Sequence, residues 1–256
     1  MSARRRGTRP AVDVAIDDGV AWLTLDREAT RNRLDAELSA AVVDACERVE
    51  DDDTVRVVVL AARGRVFSAG LPKGSVVRPS SWPDAVDAVA AVTKPVIAAL
   101  GGEAHGVGVG LALACDLRIA STSSAFVLSG ATTGDLPPGG VATRLARLVG
   151  PARAFELALL GGRLPATRAA EWGVVSRVVR PTGLRAAVAT AARELAARGP
   201  VALRLGKEAV TRALDLALGD GMRLEHDLYV LLQTTTDRAE GVQAFLERRK
   251  PRFIGR

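Results

Sequence analysis

The chain reads as an α/β protein, with a core of alternating strands and helices followed by a C-terminal part that is almost wholly helical. Short apolar runs such as "VRVVVLAA" and "PVIAAL" look like strands buried on both faces. Between them lie segments with apolar side chains at helical spacing, and this alternation through Ala120 argues for a sheet with right-handed crossovers. Beyond Gly139 nearly every segment has the helical period. The expected organisation is an α/β core over residues 1–195 and a helical region over 196–256, with no internal repeat or low-complexity linker.

Taken in order, "AVDVAI" and "VAWLTL" alternate as strands and are joined by a turn at Asp17 to Gly19. Asp35 can cap a helix that runs to about Glu50, with Leu38, Val42, Val43 and Ala45 on its apolar side. A helix is expected at Trp82 to Val92, between the two buried strands. "LALACD" is then helical and "LRIAS" a strand. Helices follow over Val141–Leu148, Ala152–Leu160, Ala166–Trp172, Leu184–Arg198, Val201–Leu218, Met222–Thr235 and Glu240–Arg248, interrupted by one strand, "VVSRVV".

Composition narrows the function classes. With 256 residues, 48% of them hydrophobic, the chain can bury a full core. The basic start "MSARRRGTRP" lacks a secretory apolar segment and no run of about 18 apolar residues follows, so a cytoplasmic protein with no membrane span is expected. Cys46 and Cys115 lie in apolar helical patterns, which fits a reducing compartment better than a disulfide framework. The net charge of +6 suits an anionic partner, but aromatics are only 4% and no nucleic-acid motif accompanies the arginines, so the partner is not expected to be nucleic acid. No His, Cys or carboxylate cluster has metal-ligand spacing, so no metal is expected.

The stretch "GEAHGVGVGLALACD" has glycines at Gly102, Gly106, Gly108 and Gly110. A dinucleotide fingerprint fails, because its third glycine falls on Leu111 or Leu113, and no G-K-S or G-K-T exists for a P-loop. The remaining readings are tight strand-to-helix packing, or a turn whose bare N–H groups point at a developing negative charge. A second small-residue turn in "GRVFSAGLPKG" follows a buried strand, so the two turns could present two backbone N–H donors to one oxygen.

With these segments in order the sequence resembles the crotonase family, the enoyl-CoA hydratase and isomerase superfamily. The resemblance rests on "LDREATRNRLD" for L-x-R-x-x-x-x-N-x-L, on "RVVVLAARGRVFSAG", on "TKPVIAAL" with the glycine stretch and "LALACDLRIAS", on "GDLPPGGVATRLARLVG", and on "EGVQAFLERRKPRFIG". It implies a spiral of ββα turns with a helical trimerisation region, hence a homotrimer or hexamer. It also implies an acyl-CoA thioester as partner, with coenzyme A entering as part of the substrate and no separate cofactor. The thioester oxygen would accept from the N–H groups of Leu71 and Val107. Ala69, Gly70, Lys73, Gly106, Gly108, Gly130 and Pro138 would border the acyl part, and Arg31, Arg33, Tyr229 and Arg248 the nucleotide end.

The same resemblance exposes departures. The two glutamates that family hydratases use as base and acid fall at Gly110 and Gly130, and the alternative aspartate of some isomerases falls at Pro138. The acidic residue usual after the small pair is Pro72, and the wall between Gly70 and Lys94 is about a dozen residues shorter than in the family. Asp135 is the first candidate for a replacement base, followed by His105, which can titrate near neutrality. Glu103 is a third, and is otherwise expected to face along its strand end or pair with an arginine. An enolate-stabilising enzyme with altered acid/base chemistry and a non-catalytic acyl-CoA-binding protein are both compatible with this pattern.

Overall fold

The computed structural model describes residues 10–72, 82, 84–129, 136 and 138–256. The chain winds between two sheets. The first has six strands in the order β1 (Val12–Asp17), β2 (Val20–Leu25), β3 (Val57–Ala62), β5 (Val96–Leu100), β7 (Leu117–Ser121) and β10 (Arg177–Val179). Only β1 runs antiparallel to its neighbour, and the turn between β1 and β2 places Asp18 and Gly19 at positive φ. The second sheet is made of short strands in the order β4 (Val66–Ser68), β6 (Glu103–His105), β8 (Ala125–Leu128) and β9 (Gly162–Pro165).

After each of β3, β5 and β7 the chain drops directly into a strand of the second sheet, and in the first two turns then into a helix, which makes a ββα spiral. The central strands read as unbroken apolar runs because both faces are covered. Val57, Val59, Ile97 and Ile119 pack on Val188 and Ala192 of α7 (Leu184–Ala196), while Val58, Leu60, Ala98 and Leu100 join the larger core on the other side. That core takes Leu38, Val42 and Val49 from α1 (Ala36–Asp51), whose N-terminus Asp35 caps by accepting from Leu38 N at 2.9 Å.

α2 (Ala85–Ala91) is shorter than its apolar pattern, since Asp84 accepts from Val86 N and Asp87 N and fixes the start there. α3 (Val107–Ala114) is wholly buried. α4 (Val141–Val149) and α5 (Pro151–Phe155) follow, the latter passing into a π-helical turn at Glu156–Leu160, and α6 is Ala166–Glu171. The single expected interruption of the helical part is joined by a second, β9, which pairs with β8. The long helix expected over Val201–Leu218 is two: α8 (Pro200–Ala213) stops before Asp215, and α9 (Leu218–Gln233) turns back so that Gly221 lies against Ala213. α10 is Thr236–Leu246.

α8, α9 and α10 carry a large share of the exposed apolar side chains, among them Leu218 (81% exposed), Phe245 (82%), Met222, Tyr229 and Leu246. Among the described residues no helix is long and apolar enough to cross a membrane.

Candidate active site

Two turns meet at the end of the second sheet. The first follows β4 and holds Ala69, Gly70 and Leu71; behind it lies the loop from Arg27 to Leu34. Ala69 N donates to Arg31 O at 2.9 Å and Leu34 N donates to Gly70 O at 2.9 Å, so the loop grips the turn from both sides. Asn32 organises that loop from a fully buried position in the left-handed region (φ 51°), one that Asn tolerates better than most residues. Its Oδ1 accepts from Arg27 N (2.9 Å), and its Nδ2 donates to Arg63 O (3.0 Å) and Val66 O (2.9 Å). Ser68, also buried, donates from Oγ to Asn32 O at 2.8 Å.

The second turn ends β6. Gly106 adopts φ 50° and ψ −119°, with its N–H on Val127 O at 3.0 Å, and α3 begins at the next residue. Val107 N–H therefore belongs to the first helical turn, where no intrahelical acceptor exists. Neither Val107 N–H nor Leu71 N–H donates to another group among the described residues. The two turns touch at Gly70: a Cβ built there would lie 2.7 Å from His105 O and 3.7 Å from Val107 N.

The glycines of the second turn have separate duties. Among the described residues nothing lies within 4 Å of where a Cβ on Gly106 would be. Gly108, expected to border a ligand, instead packs on β4, because a Cβ there would come within 2.8 Å of Ser68 Cβ and 2.9 Å of Ser68 O. Gly110 lies against the chain entering α4, where a Cβ would sit 3.0 Å from Gly139 O and 3.2 Å from Val141 Cγ2. Gly139 is in turn covered by methyls of Val107 and Val86, each 3.1 Å from where its Cβ would be. Position 110 is thus tightly packed against the chain entering α4. Gly110→Glu alone is expected to lower stability and to leave hydration of crotonyl-CoA at background, measured by loss of enoyl absorbance; a gain of hydratase turnover would show that α4 yields easily.

Of the acid/base candidates, Glu103 and His105 share the half-exposed face of β6, opposite buried Ala104. Glu103 Oε1 accepts from Arg163 Nε at 2.8 Å, and its Oε2 lies 3.1 Å from His105 Nε2. The Arg163 hydrogen bond, with His105 adding to it, holds the Glu103 carboxyl below its usual range. A carboxylate so held is a poor proton acceptor near neutrality, which counts against Glu103 as a general base. Asp135, Gly130 and Lys73 lie outside the described residues. Pro138 is half-buried just before the Gly139 contact.

Arg31 and Arg33 flank Asn32 beside the first turn. With Glu28, Arg63 and Arg65, Arg31 lines a cleft of about 320 Å³. Tyr229 and Arg248 are exposed on or after helices that pack on one another, α9 chiefly against α8. Among the described residues no group of three His, Cys, Asp or Glu side chains converges as a metal site. Asn32 as the organiser of the first turn and Arg163 as the partner of Glu103 were not legible beforehand. The first appears in sequence only as one letter of a motif, and the second depends on β9 lying two strands from β6.

Comparison with known proteins agrees with this architecture. A family model described as Enoyl-CoA hydratase/isomerase matches residues 15–256. The 1,2-epoxyphenylacetyl-CoA isomerase of Escherichia coli K12 is 37% identical over 254 residues, covering 94% of this chain and 97% of that protein. The 2,3-dehydroadipyl-CoA hydratase of the same organism is 35% identical, covering 93% and 96%. The crystal structure of enoyl-CoA hydratase from Bacillus anthracis superposes with a TM-score of 0.90 at 33% identity, covering 96% of this chain and all of that one. With two turns built as the sequence motifs require, and this likeness along almost its whole length, the chain belongs to the enoyl-CoA hydratase/isomerase family.

Proposed function

We propose that the protein binds an acyl-CoA thioester and stabilises its enolate between the N–H groups of Leu71 and Val107, with acid/base chemistry altered by the loss of both family glutamates. The observation that supports this is the contact of the two turns at Gly70, which brings together two N–H groups that have no other acceptor among the described residues, beside a face of Gly106 that no described residue covers. A pair of fixed donors aimed at a developing oxyanion lowers a barrier substantially, since removing one such donor costs about 100- to 1,000-fold in other enzymes. The N-terminus of α3 adds its partial positive charge to the Val107 side of the site.

Gly110 and Gly130 can neither take nor give a proton, so the reactions best served are those that form the enolate without a base. Loss of carbon dioxide from a malonyl-type thioester is one. The bond from Cα to the carboxylate breaks, its electron pair passes into the enolate, the carbonyl oxygen takes the charge between the two N–H groups, and a solvent proton completes Cα. Isomerisation or hydrolysis would call on Asp135 or His105. The tight packing at Gly110 favours a second reading, a binding protein with no turnover.

Arg31 and Arg33, with Arg65 in the cleft behind the first turn, are the side chains proposed to meet the phosphates of coenzyme A. The exposed apolar surface of α8, α9 and α10 supports self-association as a trimer or hexamer, which would let Tyr229 and Arg248 reach the substrate of an adjoining copy. A cytoplasmic setting fits the two free, buried thiols, each pushed up to about 12 by burial.

Acetoacetyl-CoA tests the reading independently of turnover, because its enolate absorbs in the near ultraviolet. Binding with growth of the enolate band at neutral pH is expected. Binding without that band would contradict enolate stabilisation. A parallel panel of malonyl-type, β,γ-enoyl and α,β-enoyl thioesters followed by mass spectrometry separates an enzyme from a binding protein.

A further inference from the structure

Arg163 and Glu103 form, beside His105, an ion pair that the chemistry above leaves unused. His105, Val127 and Arg163 stand in one row across β6, β8 and β9, and Arg163 reaches over β8 to Glu103. The strand they brace needs bracing. β6 is three residues long, and its pairing with β4 slips register between Val66 and Ser68. The carbonyl of His105 is the group against which Gly70 packs, and Val107 follows two residues later.

We infer that Glu103, held by Arg163, is a positioning residue that acts through His105 to fix the spacing between the Gly70 turn and the Val107 N–H. This rests on the reading that the two turns hold a thioester oxygen. The Glu103 carboxylate is about a third exposed and Arg163 about half, so the ion pair contributes little to global stability. Its effect is geometric: it ties the end of β6 to a strand two places away. β4 and β8, which flank β6, contribute no titratable side chain, so among the described residues Glu103, His105 and Arg163 are the titratable groups that face one another here.

The test uses the whole protein with two probes, acetoacetyl-CoA and saturated butyryl-CoA. Glu103→Ala and Arg163→Ala are expected to lower the enolate-to-keto ratio of bound acetoacetyl-CoA about 10- to 100-fold, the scale of a misplacement of about 1 Å, while Kd for butyryl-CoA stays unchanged. Arg163→Lys should restore part of the ratio, and Glu103→Gln, which keeps size and one hydrogen bond, should fall between wild type and Glu103→Ala. An unchanged ratio in both alanine variants overturns the inference, as does a parallel loss of affinity for both probes, which would mark general loosening of the second sheet. A wild-type protein that binds acetoacetyl-CoA with no enolate overturns the parent reading and this one together; a wild-type enolate indifferent to Glu103→Ala overturns this one alone.

Discussion

Gly70→Ala is expected to abolish enolate stabilisation and to destabilise the fold. Two independent costs act at this residue. Its φ of 75° lies where an L side chain is strained by about 1–2 kcal/mol. The added Cβ would also stand 2.7 Å from His105 O, a backbone atom fixed by strand pairing and unable to swing aside as a side-chain tip would. The turn must therefore retreat from β6, and the Leu71 and Val107 N–H groups separate. With one donor lost the enolate-to-keto ratio of bound acetoacetyl-CoA should fall about 100- to 1,000-fold, and the denaturation midpoint should drop. A variant with wild-type ratio and midpoint would show that the two turns do not share a ligand.

Asn32→Ala should produce the largest loss of stability among single changes near the site. The substitution leaves Arg27 N, Arg63 O and Val66 O without their partner at a position fully closed to solvent. A backbone group stranded out of reach of water costs about 1–3 kcal/mol, and because these three bonds are only part-buried some of the groups can be rehydrated, so a loss of roughly 2–4 kcal/mol is expected. Asn32→Asp should do little better, because it keeps an acceptor for Arg27 N but removes both donated bonds and buries a charge. Urea unfolding monitored by far-ultraviolet circular dichroism gives the difference. A change under about 1 kcal/mol, the ordinary value for a point substitution, would mean that the loop and the first turn are held by something other than Asn32.

The parts of the fold legible in the sequence were those governed by local pattern. β3 and β5 announce themselves as apolar runs because both faces are buried, and α1 because Asp35 caps a clean amphipathic helix. The second sheet was not legible, since β4, β6, β8 and β9 are three or four residues long and too short for a period to register. Their existence depends on partners far along the chain. The break between α8 and α9 was hidden for a similar reason: apolar spacing continues through Asp215 to Ala217, and the reversal is fixed by the close approach of Gly221 to Ala213.

At the site, motif order singled out two turns that the fold brings into contact at Gly70 but could not apportion the glycines. Gly106, Gly108 and Gly110 look alike in sequence, yet one meets no other described residue, one packs on Ser68 and one lies close against Gly139. Likewise Glu103 and His105, candidates for proton transfer by residue type, prove to be engaged with each other and with Arg163.

Carbon-13 NMR of butyryl-CoA labelled at the thioester carbonyl reports most directly on whether the Leu71 and Val107 N–H groups polarise one oxygen. On binding to the wild-type protein the carbonyl resonance should move downfield, as accepted hydrogen bonds draw electron density from carbon to oxygen, and the shift should shrink in Gly70→Ala even at saturating protein. A bound thioester whose carbonyl resonance stays at its free-solution position would contradict the two-donor site.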